Sequence, residues 1–389
     1  MKRIALLGST GSIGQNTLNV IRAFPGQFKV VALAAGNNLE ELKRQVDEWH
    51  PSWVCLAQKP SVEKILPALP SSVKALAGEQ GMIEIVQRKE VDLVVFATTG
   101  TWGVAPLLEA IKAKKQIALA NKESLVMAGR VVTEAAKENG VRMIPVDSEH
   151  SAIFQILNGQ NLKELHRIFL TCSGGPLLGV TREQLKEVTL EQALKHPRWK
   201  MGKKITIDSS TLMNKGLEII EAKWLFGVTP DQIQVVIHPE AVVHSMVEFM
   251  DGSLMAQMGV TDMKGPIQYA LGYPHRLPAT TERLNLVEVG QLSFSSPDLE
   301  RFPCLRIAYE VARAGDSDST VMNGANDTVV EAFLKEQIRW SEIPELIETV
   351  LSRHRHLENP GLSQILELDR WAREEAIRLI GQRSKAWVS

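Results

Sequence analysis

The chain has 389 residues, 44% hydrophobic and 23% charged, which is the balance of a soluble globular protein of two or three domains. Its formal net charge of −1 gives no whole-molecule attraction to nucleic acid or to an anionic membrane, so we expect neither as a partner. The scattered cysteines form no Cys-x-x-Cys pair, and no apolar run is long enough for a signal peptide or a membrane span. We therefore expect free thiols and a cytoplasmic location.

Short apolar runs alternate with amphipathic segments over residues 1–150. This alternation predicts an α/β fold with a doubly wound parallel sheet, typical of a Rossmann-like nucleotide-binding domain. The predicted strands are Ile4–Leu7, Val30–Ala34, Trp53–Ala57, Val73–Leu76, Leu93–Ala97, Ile117–Ala120 and Val141–Val146. The predicted helices are Asn16–Phe24, Leu39–Trp49, Glu79–Arg88 and Ser124–Asn139.

A glycine-rich loop from Gly8 to Gly14 lies between the first predicted strand and the first predicted helix. Its glycines allow a sharp turn and a close backbone approach to a pyrophosphate at the helix N-terminus. A plain tight turn is the alternative, but the strand–loop–helix context favours a dinucleotide site. The second predicted strand is followed by Gly36-Asn37-Asn38, without the acid that usually binds the ribose of NAD, so we expect NADP, with Lys43 or Arg44 able to reach the 2′-phosphate.

Polar side chains follow two further predicted strands. Lys122, after Ile117–Ala120, would stabilise a developing oxygen anion, and a solvated surface lysine is the alternative. Asp147 and Glu149 follow the last predicted strand, where an i,i+2 spacing in extended backbone points two carboxylates the same way. The alternative is that both acids only cap the helix predicted over Ser151–Leu157.

From 151 to 272 the pattern is mixed α+β, and we expect a catalytic domain there. Asp251-Gly252 predicts a hairpin between Val242–Met250 and Leu254–Met258, and Thr189 with Gln192 has capping-box spacing. Residues 196–204 have no period, and with Trp199 and Met201 they predict a mobile apolar lid.

A second polar cluster, with one carboxylate beside an amide and an ammonium group, lies in the helix that we predict from an N-cap at Ser209 to Phe226. Asn214 and Lys215 share one helix face with Glu218. Together with Asp147 and Glu149, Glu218 completes an oxygen ligand set that suits Mg²⁺ or Mn²⁺. A phosphate monoester would suit the donors Ser173, His196, Ser209, Asn214 and Lys215.

Residues 273–304 are rich in proline, serine and threonine, and we expect a linker. Residues 305–389 predict a C-terminal helical bundle with helices at Leu305–Arg313, Thr328–Lys335, Ile343–Arg353 and Leu362–Lys385.

Six motifs together resemble the 1-deoxy-D-xylulose 5-phosphate reductoisomerase family, nearly from end to end. They are Gly8–Gly14, Asn121–Ser124, Asp147–His150, Ser173–Pro176, His196-Pro197 with Trp199 and Met201, and Met213–Glu218. The resemblance implies an NADPH-dependent, homodimeric enzyme of the non-mevalonate isoprenoid route. This enzyme would make 2-C-methyl-D-erythritol 4-phosphate from a sugar phosphate. Asn37 stands where family members often have lysine.

The resemblance also implies residue roles. The metal ligands would be Asp147, Glu149 and Glu218, which with Lys122 and His196 form the catalytic set. The substrate would contact Lys122, Ser148, Glu149, Ser173, His196, Trp199, Ser209, Asn214, Lys215 and Glu218. The cofactor would contact Thr10, Gly11, Ser12, Ile13, Gly36, Asn37, Asn38, Asn121, Glu123 and Gly202.

Two other functions are compatible with parts of the pattern. A metal-dependent NAD(P) dehydrogenase of a small hydroxy acid would need an arginine clamp for a carboxylate, and the site motifs contain none. A nucleotide-sensing module without turnover would have no use for the metal ligands.

Overall fold

The computed structural model describes residues 1–199 and 201–386, and the chain divides into two compact units. The first unit comprises Met1–Ser124, Val132–Ser151 and Asp262–Arg283. The second comprises Leu125–Val131, Ala152–Thr261 and the chain from Leu284 onward. The domain boundaries expected from the sequence, at residues 150, 272 and 304, stay predictions.

Strands and helices alternate through the N-terminal part of the chain, and helices predominate towards the C-terminus. The strands are β1 Lys2–Leu7, β2 Phe28–Ala35, β3 Trp53–Leu56, β4 Lys74–Ala77, β5 Leu93–Phe96, β6 Gln116–Leu119, β7 Met143–Pro145, β8 Leu165–Cys172, β9 Ile233–Ile237, β10 Val243–Phe249 and β11 Leu254–Met258. The helices are α1 Ser12–Arg22, α2 Leu39–Trp49, α3 Lys59–Ile65, α4 Gly78–Gln87, α5 Val104–Lys112, α6 Glu123–Asn139, α7 Ser148–Leu157, α8 Leu190–Leu194, α9 Lys203–Ser210, α10 Met213–Phe226, α11 Lys264–Gly272, α12 Leu286–Val289, α13 Pro303–Ala314, α14 Asp316–Leu334, α15 Glu342–Arg353 and α16 Leu362–Ala386.

The first unit is built on a seven-stranded sheet in the order β4-β3-β2-β1-β5-β6-β7. Every neighbouring pair is parallel. Residues of β1 and β5 such as Ile4, Leu6 and Val94 are fully buried, as expected for strands covered on both faces. The predicted doubly wound α/β sheet is confirmed, and its strand order reverses between β1 and β5, where ligands bind in such folds.

The second unit contains a mixed four-stranded sheet in the order β11-β10-β8-β9. β10 is antiparallel to β8 and to β11, whereas β8 and β9 are parallel. The predicted hairpin is confirmed, because Gly252 adopts a φ of 83° and its N–H donates to the Phe249 carbonyl at 2.9 Å. The capping box of Thr189 and Gln192 is also present at the start of α8.

Several helices differ from the prediction. Helices α3, α5, α9, α11 and α12 were not predicted. Helix α3 buries only Ile65, so its amphipathic period is weak, whereas α5 has Glu109 and Lys112 on its less buried face. Helix α14 begins at Asp316, twelve residues before the predicted start at Thr328. Its polar first half, including Ser317, Thr320 and Asn323, is buried, so tertiary packing outweighs weak helix propensity.

The remaining C-terminal helices agree with the pattern, and α16 covers the predicted Leu362–Lys385. Within 273–304 the regular structure is α12, the start of α13 and a bridge between Ser295 and Ile237. Among the described residues, no helix is both long and apolar enough to cross a membrane.

Candidate active site

The nucleotide loop lies at the carboxyl end of β1 and leads into α1. Gly8 has a φ of 90°, and a Cβ there would lie 2.2 Å from the Ala97 carbonyl oxygen. A Cβ on Gly14 would lie 2.3 Å from the Gly8 carbonyl oxygen. Both positions therefore require glycine, as a loop that folds tightly around a pyrophosphate does.

A cavity of about 320 Å³ opens beside this loop. Its lining includes Gly8, Thr10, Gly11, Ala34, Ala35, Gly36, Cys55, Leu56, Ala57, Gly78, Met82, Ala97, Thr98, Thr99 and Trp102. Of the cofactor residues predicted from the sequence, Thr10, Gly11 and Gly36 are in this lining, and Ser12 and Ile13 begin α1. The cavity therefore brings together three of the predicted cofactor residues, and the remaining contacts stay predictions.

The part of this lining that follows β3, β4 and β5 was not predicted from the sequence. Those strands were predicted, so the rule that ligands bind beyond the carboxyl ends of parallel strands would have found Ala57, Gly78 and Thr98. Trp102 had no such signal, because it lies in a short 3₁₀ turn between β5 and α5.

The turn after β2 carries Asn37 and Asn38. The Asn38 side chain caps α2 by accepting a hydrogen bond from the Glu41 N–H at 3.1 Å. Arg44, one turn further along, pairs with Glu41 at 2.6 Å. Arg44, which the sequence suggested as a possible partner of a 2′-phosphate, is therefore held along α2 by an ion pair.

Asn121 is buried and holds the loop that follows β5. Its amide group donates to the carbonyl oxygens of Thr98 at 2.8 Å and Gly100 at 3.0 Å, and its Oδ1 accepts from the Ser124 N–H at 3.1 Å. It also donates to Glu123 at 3.1 Å. Asn121 thus shapes one wall of the nucleotide cavity through the loop.

Asp147 lies between β7 and α7. Its Oδ1 accepts from the Ser148 N–H at 3.1 Å, and its Oδ2 lies 2.8 Å from the Lys122 ammonium. The i,i+2 register expected for Asp147 and Glu149 is wrong, because β7 ends at Pro145 and Glu149 lies in the first turn of α7. The acids follow the strand, but a helical turn sets their spacing.

Neighbouring basic side chains keep the Asp147 carboxyl group ionised. Burial acts to raise the pKa of its carboxyl, but Lys122 and His150 outweigh burial and hold the pKa well below its usual range. Next to it, the Ser148 hydroxyl donates to Glu149 at 2.5 Å. Lys122, Asp147, Ser148 and Glu149 therefore form one polar group in the first unit.

Helix α10, in the second unit, carries the second polar cluster. Asn214 and Lys215 both donate to Glu218, so the predicted shared helix face is confirmed. Lys215 and Glu218 are almost fully buried, at 2% and 1% exposure. Such a buried charge pair requires its partners in place, because removing one leaves the other uncompensated.

Ser209 is not the N-cap of the helix that leads to Phe226. It lies in the last turn of α9, and Leu212, with a φ of 59°, separates α9 from α10. This break was not predicted, because Ser209-Ser210-Thr211 favours both capping and turns. The Ser209 carbonyl packs against the Ser173–Pro176 turn, where a Cβ on Gly175 would lie 2.4 Å from it.

His196 and Ser173 lie side by side, with the Nε2 and Oγ atoms 3.3 Å apart. His196 Nδ1 accepts from the Trp199 N–H at 2.9 Å, which leaves the proton of the neutral ring on Nε2. Burial lowers the pKa of His196 to about 4. Its ring is therefore a neutral hydrogen-bond donor towards the Ser173 side.

The predicted lid over 196–204 is helical in part, and Lys200 within it lies outside the described residues. Lys203 and Lys204 already belong to α9, and Gly202, which was expected to contact the cofactor, is the N-cap of this helix. The mobility of the segment stays a prediction.

Family models for 1-deoxy-D-xylulose 5-phosphate reductoisomerase match residues 4–129, and models for its C-terminal domains match 143–226 and 258–375. A reductoisomerase of this name from Shouchella clausii (strain KSM-K16) is 51% identical over 376 residues, which are 96% of this chain and 99% of that protein. The chain belongs to the 1-deoxy-D-xylulose 5-phosphate reductoisomerase family.

Two solved structures of the reductoisomerase family have the same fold. A crystal structure of DOX-P reductoisomerase in complex with NADPH, fosmidomycin and magnesium has a TM-score of 0.91 and 40% identity, covering 98% of each chain. The reductoisomerase from Zymomonas mobilis in complex with NADPH has a TM-score of 0.91 and 38% identity, covering 97% of this chain and 99% of the other. Membership in the reductoisomerase family does not favour the hydroxy acid dehydrogenase considered above.

Proposed function

We propose that the chain converts 1-deoxy-D-xylulose 5-phosphate into 2-C-methyl-D-erythritol 4-phosphate with NADPH and a divalent metal. The single observation that carries this proposal is family membership over nearly the whole chain. One relative is 51% identical across 96% of this chain. Solved relatives that cover 97% to 98% of the chain bind NADPH, and one of them also binds magnesium.

The first unit fits NADPH. Gly8 and Gly14 leave no room for a Cβ, and the cavity beside them holds about 320 Å³. Gly36-Asn37-Asn38 brings no carboxylate to the ribose position, so a 2′-phosphate meets no repulsion there. The proposed cofactor contacts are Thr10, Gly11, Ser12, Ile13, Gly36, Asn37, Asn38, Asn121, Glu123 and Gly202.

The donor chemistry of Asp147, Glu149 and Glu218 fits a hard cation, because carboxylate oxygens are the ligands that Mg²⁺ and Mn²⁺ prefer. We assign these three residues as the metal ligands. When bound, the metal polarises substrate oxygens and NADPH supplies the hydride.

The side chains of the protein bind and orient the substrate. Lys122 presents an ammonium group to a developing oxygen anion. Ser148 belongs to the same polar group, through Asp147. The phosphate would be bound by Ser173, His196, Ser209, Asn214 and Lys215, which combine hydroxyl, imidazole, amide and ammonium donors. Trp199 would cover the substrate and exclude water.

The biological setting is also part of the proposal. We place the reaction in the non-mevalonate route to isoprenoids, in the cytoplasm, and we expect Mn²⁺ to replace Mg²⁺. A homodimer is supported by β11, an edge strand of the second unit with Leu254 at 54% and Met255 at 44% exposure. Apolar residues on an open strand edge favour pairing with another chain.

The test is NADPH oxidation with 1-deoxy-D-xylulose 5-phosphate and Mg²⁺, followed by mass and NMR identification of the product. The proposal predicts stoichiometric formation of 2-C-methyl-D-erythritol 4-phosphate, dependent on the metal. NADPH oxidation with a small 2-oxo acid but not with the sugar phosphate would contradict it.

A further inference from the structure

A partly buried network of charges ties α9 to the C-terminal helices of the second unit, with Asp208 at its most buried point. The Lys204 ammonium on α9 lies 2.8 Å from Asp208 and 3.0 Å from Asp327 of α14. Arg373 of α16 continues the network, with one guanidinium nitrogen 2.8 Å from Asp327 and another 2.9 Å from Asp369. The network therefore joins α9, α14 and α16.

The network is sheltered from water where it meets α9. Asp208 has a side-chain exposure of 2%, and its other oxygen accepts from Asn326 of α14 at 2.9 Å. Burial acts to raise the pKa of Asp327, but Lys204 and Arg373 outweigh it and hold the pKa below its usual range. Buried charges with several partners have one low-energy arrangement, so they fix the helices that carry them.

A second buried contact holds the end of the same helix. The Trp340 indole N–H, between α14 and α15, donates to the Ser210 hydroxyl at 2.9 Å. Trp340 is itself packed edge-on against Phe302, with ring centroids 6.4 Å apart. Helix α9 is therefore anchored at Lys204, at Asp208 and at Ser210.

The anchored helix carries Ser209, and the glycine turn that presents Ser173 packs directly on its backbone. A Cβ on Gly175 would lie 2.4 Å from the Ser209 carbonyl, so a shift of α9 would move that turn too. Displacements of about 1 Å in a binding site can cost about a hundredfold in activity.

We propose that Asp327, Arg373 and Trp340 are positioning residues, which hold α9 so that Ser209 and the Ser173 turn bind the substrate's phosphate. This inference rests on the function proposed above. Their effect falls mainly on the binding of the sugar phosphate. The cavity beside the glycine loop lies in the first unit, so NADPH affinity should change less, through the one proposed cofactor contact on this helix, its N-cap Gly202.

The test compares Asp327→Asn with the conservative variant Asp327→Glu, which keeps the charge. Arg353→Gln is the matched control, because it removes an exposed ion pair with Glu375 in the same group of helices. Steady-state kinetics give KM for 1-deoxy-D-xylulose 5-phosphate and kcat, and fluorescence titration gives the dissociation constant for NADPH. Trp340→Phe is a second variant, which keeps the ring packing and removes the hydrogen bond to Ser210.

We expect Asp327→Asn to raise KM for the sugar phosphate about tenfold with kcat within about twofold of the parent, as loss of substrate binding requires. Asp327→Glu should recover most of the difference, Arg353→Gln should show none, and Trp340→Phe should raise KM less than Asp327→Asn. An unchanged KM in both Asp327→Asn and Trp340→Phe would overturn the inference, as would a loss of NADPH affinity larger than the rise in KM. If Asp327→Asn fails to fold, Trp340→Phe alone decides. An inactive parent protein would instead refute the proposed function.

Discussion

Asp147 combines two roles that its sequence context leaves as alternatives. One carboxylate oxygen accepts the Ser148 N–H at the start of α7, and the other pairs with Lys122 at 2.8 Å. A carboxylate has about four lone-pair directions, so a hydrogen bond at a helix start does not prevent metal binding. The capping alternative is therefore compatible with the ligand role.

His196 provides a test by pH. Since its pKa is lowered to about 4, below about 6.5 for an unfolded chain, the neutral ring stabilises the fold above about pH 6.5. That contribution falls as the pH drops towards the folded pKa. We expect no titration of the His196 ring between about pH 5.5 and 8 by NMR, with His196→Asn used to assign its signal. A midpoint near 6.5 would contradict the buried neutral ring.

Glu218→Gln keeps the shape of the side chain and removes its charge. We expect turnover to fall by about two to four orders of magnitude, because a proposed metal ligand is lost and Lys215 loses its buried partner. NADPH affinity should stay near that of the parent protein. Glu248→Gln, which removes a more exposed pair with Arg167, is the control. Parental turnover at saturating Mg²⁺ would refute the assignment of Glu218.

Among the structural elements, the glycine loop depends on two close backbone contacts. Gly14→Ala would place a methyl group 2.3 Å from the Gly8 carbonyl oxygen, so the loop must shift. We expect the dissociation constant for NADPH to rise at least about tenfold in fluorescence titrations. Gly265→Ala is the control in the same unit, because its Cβ meets no atom within 4 Å. Equal affinities in the two variants would contradict a tight cradle.

The elements that the sequence predicted well are those with one dominant signal. All seven strands of the parallel sheet were found, because each is a short apolar run bounded by turn residues, and Leu39–Trp49 has a strong amphipathic period. The first half of α14 was missed because its buried polar residues resemble a loop, and α5 was missed although Glu109 and Lys112 mark its less buried face.

The residues of the candidate site were named from their motifs and stay predictions, whereas part of the local geometry expected for them was wrong. Residue spacing within a helix is fixed, so the contacts of Asn214 and Lys215 with Glu218 followed from the sequence. The starts of α7 and α10 depend on where neighbouring elements pack. The i,i+2 register predicted for Asp147 and Glu149 and the N-cap predicted at Ser209 were therefore wrong.

For the molecule as a whole, the proposed activity requires carboxylates from distant parts of the chain to share one cation. Asp147 and Glu149 belong to the first unit, whereas Glu218 belongs to the second. A net charge of −1 gives no general attraction for a metal or a phosphate, so the proposed binding depends on these few side chains.

A titration of the protein with Mn²⁺, followed by electron paramagnetic resonance and calorimetry, tests this shared cation without recourse to turnover. We expect one tight site per chain, and its loss in each of the single variants Asp147→Asn, Glu149→Gln and Glu218→Gln, while Glu248→Gln binds as the parent does. Unchanged Mn²⁺ binding in Glu218→Gln, or in both variants of the first unit, would contradict the shared metal site.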